Sequence, residues 1–196
     1  MLDNAVVFSL SANQKLAEAI AAKLNVKLGE RVVKKFPSGE TLVEPIDSVR
    51  GKQIFIIEST CPPVNEHLME TLIFIDALRR SSAKEINLVC PYFGYARQDR
   101  KAHARQPITA ALVAHLLCAA GLDRIITVNV HAAQIQGFFS CLADDLTAVP
   151  LLGGALLQTK PDLSNLVVVS PDHGGVGRAR DLAEQFNNCP IAIIDK

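Results

Sequence analysis

The sequence has no surplus of charge of either sign. Lysine plus arginine and aspartate plus glutamate number 20 each among 196 residues, for a formal net charge of zero. No global field draws such a chain to nucleic acid or to anionic lipid, so no nucleic-acid or membrane partner is expected. Cysteine is sparse: Cys61, Cys90, Cys118, Cys141 and Cys189 lie far apart, with no C-x-x-C pair. An odd, scattered set argues against a disulfide framework and for a reducing compartment. The opening residues Met1-Leu2-Asp3-Asn4 lack the basic region of a secretory signal. Long apolar runs are also missing, because the longest, Ile108 to Leu122, is too short to span a bilayer and contains His115. These absences together predict a soluble, cytoplasmic protein. The glycine-rich dinucleotide fingerprint and the Walker A pattern are both absent, so neither an NAD site nor a P-loop is expected.

What is present is an alternation of short apolar runs and helical patterns. Strands are predicted at Ala5 to Leu10, Arg31 to Lys35, Thr41 to Ile46, Gln53 to Glu58, Ile86 to Cys90, Arg124 to Val130, Leu166 to Val169 and Ile191 to Ile194. Ser11 and Gln14 form a capping-box pattern ahead of a helix whose Leu16, Ile20 and Leu24 share a face. Asn65 is placed to cap a second helix, with Leu68, Leu72, Ile75 and Leu78 toward the core. Further helices are predicted over Ile108 to Ala120, Pro150 to Gln158 and Val176 to Phe186, the first closed by Gly121. Strands alternating with helices indicate βαβ units, hence an α/β fold with a mainly parallel sheet flanked by helices.

Ligands of such sheets bind outside the carboxyl ends of the strands. Ser59-Thr60, the segment from Pro91 to Pro107, His131, Asp172 and Lys196 all follow predicted strands. The longest of these carries Arg97, Arg100, Lys101 and Arg105 and has no apolar periodicity. Guanidinium groups offer paired planar donors to phosphate oxygens, so this basic loop is a candidate polyphosphate site. Residue types alone leave open a solvated charged loop, a hydrogen-bonded core histidine at His131 and a solvated terminal Lys196.

Three long motifs, Asn-Val-His-Ala-Ala-Gln-Ile-Gln-Gly-Phe-Phe (129–139), Tyr-Ala-Arg-Gln-Asp-Arg-Lys (95–101) and Ser-Pro-Asp-His-Gly-Gly (170–175), resemble those of ribose-phosphate pyrophosphokinases, as do residues 48–52 and 62–70. The resemblance covers the whole chain and implies transfer of the diphosphate of Mg·ATP to ribose 5-phosphate, giving phosphoribosyl pyrophosphate and AMP. It implies that Arg97 and Gln98 hold the ATP phosphates. It further places the Phe36, Ser38, Gly39 and Glu40 turn at adenine from a neighbouring subunit of a homo-oligomer, His131 and Asp172 on Mg²⁺, and Lys196 at the transition state. The implied fold is a phosphoribosyltransferase-like domain over 1–147 followed by the truncated start of a second similar domain over 148–196. Ser38, Asn129 and the Ser140-Cys141-Leu142 segment depart from the acidic pattern usual in the family, while Asp144 fits it. Those departures leave an alternative, a catalytically inactive relative acting as an assembly or regulatory subunit.

Overall fold

The computed structural model describes residues 4–159 and 162–195. The chain divides into two compact units, the first ending at Leu146 and the second beginning at Thr147. In chain order the first unit contains β1 (Ala5–Ser9), α1 (Gln14–Leu24), β2 (Arg31–Lys35), β3 (Thr41–Pro45), β4 (Gln53–Ile57), α2 (Val64–Arg80), β5 (Glu85–Cys90), α3 (Thr109–Ala120), β6 (Arg124–Val128) and β7 (Leu142–Leu146). A 3-10 turn, Ala133–Phe138, precedes β7. Five strands form a wholly parallel sheet in the order β1-β4-β5-β6-β7. The expected α/β architecture is therefore the observed one. β2 and β3 pair separately as an antiparallel hairpin.

Alternation of side chains along each strand divides the apolar residues between two layers. Phe8, Ile54, Ile56, Ile86 and Leu88 join Phe74, Ile75 and Leu78 of α2 and Val113 and Leu117 of α3 in the main core. Phe8 and Phe74 meet edge to face, 5.2 Å between ring centres. On the opposite layer Val7 and Ile57 pack with Ala17 of α1. Central β5 is paired on both sides, with Val89 opposite Ile57 and Cys90 opposite Thr127. This register brings the chain out of β4, β5 and β6 along one edge of the sheet.

Several local expectations are corrected. Ser11 caps no helix: its N–H and hydroxyl both donate to Glu70 Oε1 at 2.9 Å, and α1 begins after Asn13. The buried residues of α1 are Ala17 and Ala21, whereas Leu16 and Leu24 are exposed. Small side chains occupy the face against the sheet, and the leucines lie outside it. Asn65 lies inside α2, which starts at Val64 after Pro63 without a side-chain cap. Its side chain instead accepts a hydrogen bond from the Tyr95 hydroxyl. The core face of α2 is centred on Phe74, Ile75 and Leu78, with Leu68 and Leu72 only partly buried. Gly121 ends α3 as expected, in a left-handed conformation at φ 110°. β7 has no counterpart among the predicted strands.

The second unit contains α4 (Val149–Gln158), β8 (Val168–Ser170), α5 (Val176–Glu184) and β9 (Ile191–Ile193). β8 and β9 are parallel neighbours. Ala179, Ala183 and Phe186 close a small core with Val168. Among the described residues no helix is long and apolar enough to cross a membrane.

Candidate functional site

The loops leaving β4 and β5 are fastened to each other. Thr60, fully buried after β4, accepts a hydrogen bond from the Gly94 N–H on its Oγ1 at 2.6 Å and donates its own N–H to the Tyr92 carbonyl at 3.0 Å. The Ser59 hydroxyl accepts from the Tyr92 N–H at 3.2 Å. Backbone approach here is so close that a β-carbon on Gly94 would lie 2.4 Å from the Thr60 carbonyl oxygen, which only glycine tolerates. Ser59-Thr60 thus braces the base of the basic loop.

Downstream, the Gln98 N–H donates to the Tyr95 carbonyl at 2.8 Å, and the Gln98 carbonyl accepts from Ala110 N–H at 3.2 Å in the first turn of α3. Gln98 Oε1 also accepts from the Thr109 hydroxyl. Gln98 is therefore the joint between loop and helix. Arg97, Arg100, Lys101 and Arg105 are all exposed, and none makes an ion pair among the described residues. Four unpaired cations on a braced backbone are available to an anion, which distinguishes this loop from a surface held by its own ion pairs.

A third loop joins from β6. Gln134 Nε2 donates to Asp99 Oδ2 at 2.6 Å, tying the segment after His131 to the basic loop. Asn129 adopts a left-handed backbone, φ 49°, which asparagine tolerates better than most residues. The turn is fixed from β7: Asp145 accepts the Val130 N–H at 3.0 and 3.2 Å and the Thr127 hydroxyl at 2.7 Å. His131 itself is exposed. Asp144 pairs with Arg124 on the same edge. Asp145 was not singled out by the sequence reading. Its only signal is a second carboxylate in an alternating Leu-Ala-Asp-Asp-Leu strand.

The Phe36–Glu40 turn is the tip of the β2–β3 hairpin. Phe36 N–H donates to the Glu40 carbonyl at 2.8 Å, Gly39 N–H to the Phe36 carbonyl at 2.9 Å, and Gly39 stands at φ 90°. Ser38 Oγ donates to Glu40 Oε2 at 2.6 Å. The Phe36 ring is 42% exposed. Beside the tip lies an open cleft of about 520 Å³ whose lining includes Gly39, Glu40, Asn65 and Met69. No hydrogen bond joins this tip directly to the basic loop among the described residues, while Asn65 of the same cleft accepts from Tyr95 of that loop.

Behind the loops sit two carboxylates that the sequence reading missed, Glu58 at 0% and Glu70 at 5% exposure. Glu58 accepts the Ala12 N–H on both oxygens at 3.0 Å. Burial, with a smaller contribution from the neighbouring Glu70 charge and against the Ala12 hydrogen bond, pushes its pKa up to about 8. The pair anchors the entry to α1. Apart from their charge in otherwise apolar segments, nothing in sequence marks them.

In the second unit, Asp172 Oδ1 accepts the Gly175 N–H at 2.9 Å and the Ser170 hydroxyl donates to the Asp172 carbonyl at 2.7 Å. Asp172 Oδ2 has no hydrogen bond among the described residues. His173 Nε2 lies 3.2 Å from Asp195 Oδ1. No group of three or more His, Cys, Asp or Glu side chains converges in the manner of a metal cage among the described residues. Mg²⁺ needs no such cage, since it keeps much of its water and takes one or two carboxylates plus substrate phosphates. The free oxygen of Asp172 fits that chemistry, while the His131 imidazole is a less usual donor for this ion. Lys196 lies outside the described residues.

The chain is similar to known proteins along nearly its whole length. The sequence model for the N-terminal domain of ribose phosphate pyrophosphokinase matches residues 5–121. The chain belongs to the ribose-phosphate pyrophosphokinase family. Ribose-phosphate pyrophosphokinase 1 of Streptococcus mutans is 52% identical over 98% of this chain and 60% of its own length. Ribose-phosphate pyrophosphokinase of Corynebacterium ammoniagenes is 55% identical over the same shares. The crystal structure of phosphoribosylpyrophosphate synthetase from Mycobacterium smegmatis superposes with a TM-score of 0.93 at 42% identity, covering 99% of this chain and 65% of that one. The chain thus spans about 60% of the length of the curated relatives it matches. Within that span lie the braced basic loop, the His131 turn and the hairpin tip.

Proposed function

We propose that this chain works as a ribose-phosphate diphosphokinase subunit, passing the β,γ-diphosphate of Mg·ATP to the anomeric hydroxyl of ribose 5-phosphate to yield phosphoribosyl pyrophosphate and AMP. The observation that carries the reading is the unpaired cationic loop at the exit of central strand β5, braced by Thr60 and tied to the His131 segment. Phosphoryl-group transfer is catalysed mainly by positioning and by fixed charge at oxygens where negative charge accumulates. Arg97 and Gln98 are assigned to the ATP phosphates. His131 and Asp172 are assigned to Mg²⁺, which would offset the negative charge of the phosphates, and Lys196 to the transition state. Phe36, Ser38, Gly39 and Glu40 are assigned to adenine: an exposed ring offers a stacking face, and the Glu40 carboxylate an acceptor for the exocyclic amine.

The hairpin tip is assigned to the nucleotide site of a neighbouring subunit, so that sites are shared within a homo-oligomer. Calorimetric titration with Mg·ATP tests the assignment. Arg97→Ala is expected to weaken binding by ~2–3 kcal/mol, the scale of a lost charge-assisted hydrogen bond. Mixing Arg97→Ala with Glu40→Ala chains is expected to restore a fraction of intact sites. Equal ATP affinity in wild type and Arg97→Ala would sink the phosphate assignment, and failure of mixing to restore any site would sink the sharing.

The second reading, an assembly or regulatory subunit, is favoured by the exposed Leu151 and Leu152 of α4, at 76% and 61%, which offer a partner apolar surface. AMP release dependent on ribose 5-phosphate separates the two readings, because a purely assembling chain binds without releasing AMP.

A further inference from the structure

Two of the five dispersed cysteines meet in space. Cys118, in the last turn of α3, and Cys141, immediately before β7, place their sulfurs 3.3 Å apart. Both are half-buried and neither is in a disulfide. A disulfide bond needs roughly 2.05 Å between sulfurs, so a modest side-chain adjustment separates the dithiol from the crosslink. The two thiols also differ chemically. Burial resists ionisation of Cys118, but hydrogen bonding to Ser140 and Cys141 outweighs it and holds its pKa below the ordinary thiol value. Burial first, and then the neighbouring Cys118, push Cys141 up to about 12. A partly exposed thiol that ionises more readily, beside a partner that ionises less readily, is the arrangement of an attacking and a resolving cysteine.

We propose that Cys118 and Cys141 form a reversible dithiol–disulfide couple that latches the His131 segment to α3. The Cys118 thiolate attacks one sulfur of a low-molecular-weight disulfide, such as oxidised glutathione, forming a mixed disulfide and releasing one thiolate. Cys141 loses its proton to solvent, and its sulfur attacks that of Cys118, expelling the second thiolate. The two protons given up by the cysteines protonate the released thiolates. Two protein thiols are thereby oxidised and one small disulfide is reduced to two thiols. The bond closes a covalent ring around β6, His131 and the 3-10 turn at Ala133–Phe138. It joins the end of α3, whose first turn is bonded to Gln98, to the strand whose Asp145 shapes the His131 turn.

The full chain equilibrated in oxidised and reduced glutathione, then alkylated and mapped by peptide mass spectrometry, tests the proposal. The expected result is a 118–141 crosslinked peptide that disappears with dithiothreitol. Cys141→Ser is expected to trap glutathione on Cys118, whereas Cys118→Ser leaves Cys141 unmodified. The wild-type measurement needs no substitution, so it decides the matter even where a variant folds poorly. Glutathione remaining on wild-type Cys118 without crosslinking, or no reaction at either cysteine while other thiols are oxidised, overturns the couple. Amide exchange across residues 129–139 is expected to slow several-fold in the crosslinked form. Unchanged exchange there would overturn the latch.

Discussion

In the first unit, Phe8, Ile54, Ile56, Ile86 and Leu88 turn one sheet face toward α2 and α3 and are buried throughout. In the second, Val168 meets α5, but Val169 and Ile193 on the paired strands remain exposed, as do four leucines of α4. The positional accuracy of the candidate site therefore comes from two different sources. Thr60, Tyr95, Gln98 and Val130 are fixed because the strands feeding them are clamped in a filled core. Asp172 is held chiefly by its own short-range bonds to Gly175 and Ser170. The first kind of support is cooperative, and the second is local.

The sharpest way to break the contrast is to empty each core in turn. Phe74→Ala removes a fully buried ring in contact with Phe8 and is expected to cost the first unit ~3–5 kcal/mol. Phe186→Ala is expected to cost the second about 3 kcal/mol, since a small open core collapses more readily around a deletion. Native-state hydrogen exchange checks both, with protection lost across all five strands for Phe74→Ala and only beyond Thr147 for Phe186→Ala. Loss confined to a few residues near Phe74 would show that the first unit is less cooperative than its packing indicates.

Gly94→Ala tests the brace rather than the core. The clash with the Thr60 carbonyl is expected to cost ~1–3 kcal/mol in chemical denaturation, and the displaced loop to bind Mg·ATP more weakly. A variant with normal nucleotide affinity would separate loop placement from binding.

Glu58, raised by burial, gives the first unit a pH response opposite in sign to that of the second unit's Asp162, whose carboxyl is held below the usual range by the Ser164 hydrogen bonds. The folded pKa of Glu58, about 8, lies above the ordinary value of 4.5. Between those values the folded state keeps a proton that the unfolded chain has released. Stability consequently falls as pH rises through that window, by at most about 1.4 kcal/mol per pH unit. Denaturation of wild type and Glu58→Gln from acidic to mildly alkaline pH is expected to show a flatter profile in the variant. The smallest effect belongs to Asp172→Ala, expected to destabilise the second unit by ~1 kcal/mol through loss of the bond to Gly175 N–H. Local exchange at 173–176 is the readout, with the first unit unchanged.

How much of this was legible in the sequence depends on whether a feature is local. β4 and β5 announce themselves as continuous apolar runs because both their faces are covered. The start of the basic loop at a strand exit follows from that periodicity. β7 escaped because an edge strand carrying Asp144 and Asp145, with Leu142 and Leu146 exposed, has no apolar run to detect. The face of α1 was misjudged because leucine carries more hydrophobic weight than alanine, yet Ala17 and Ala21 are the residues small enough for close helix–sheet approach. The Glu58–Glu70 anchor and the Cys118–Cys141 contact join segments far apart in the chain, so spacing could reveal neither. The long motifs led to the correct family; the bonds that hold those motifs in place required the fold.

The strand order also bears on synthesis. β5 is central, and its two neighbours are made at different times: β4 precedes it and β6 follows only after the basic loop and α3. A nascent chain that has emerged only as far as residue 123 already displays Arg97, Arg100, Lys101 and Arg105. One edge of β5 is then still open, and the Asp99–Gln134 tether is not yet available. Beside the polyanionic ribosome, that interval exposes a cationic loop and an unpaired apolar strand edge together. Emergence of residues 124–134 supplies the partners of both, β6 for the open edge of β5 and Gln134 for Asp99.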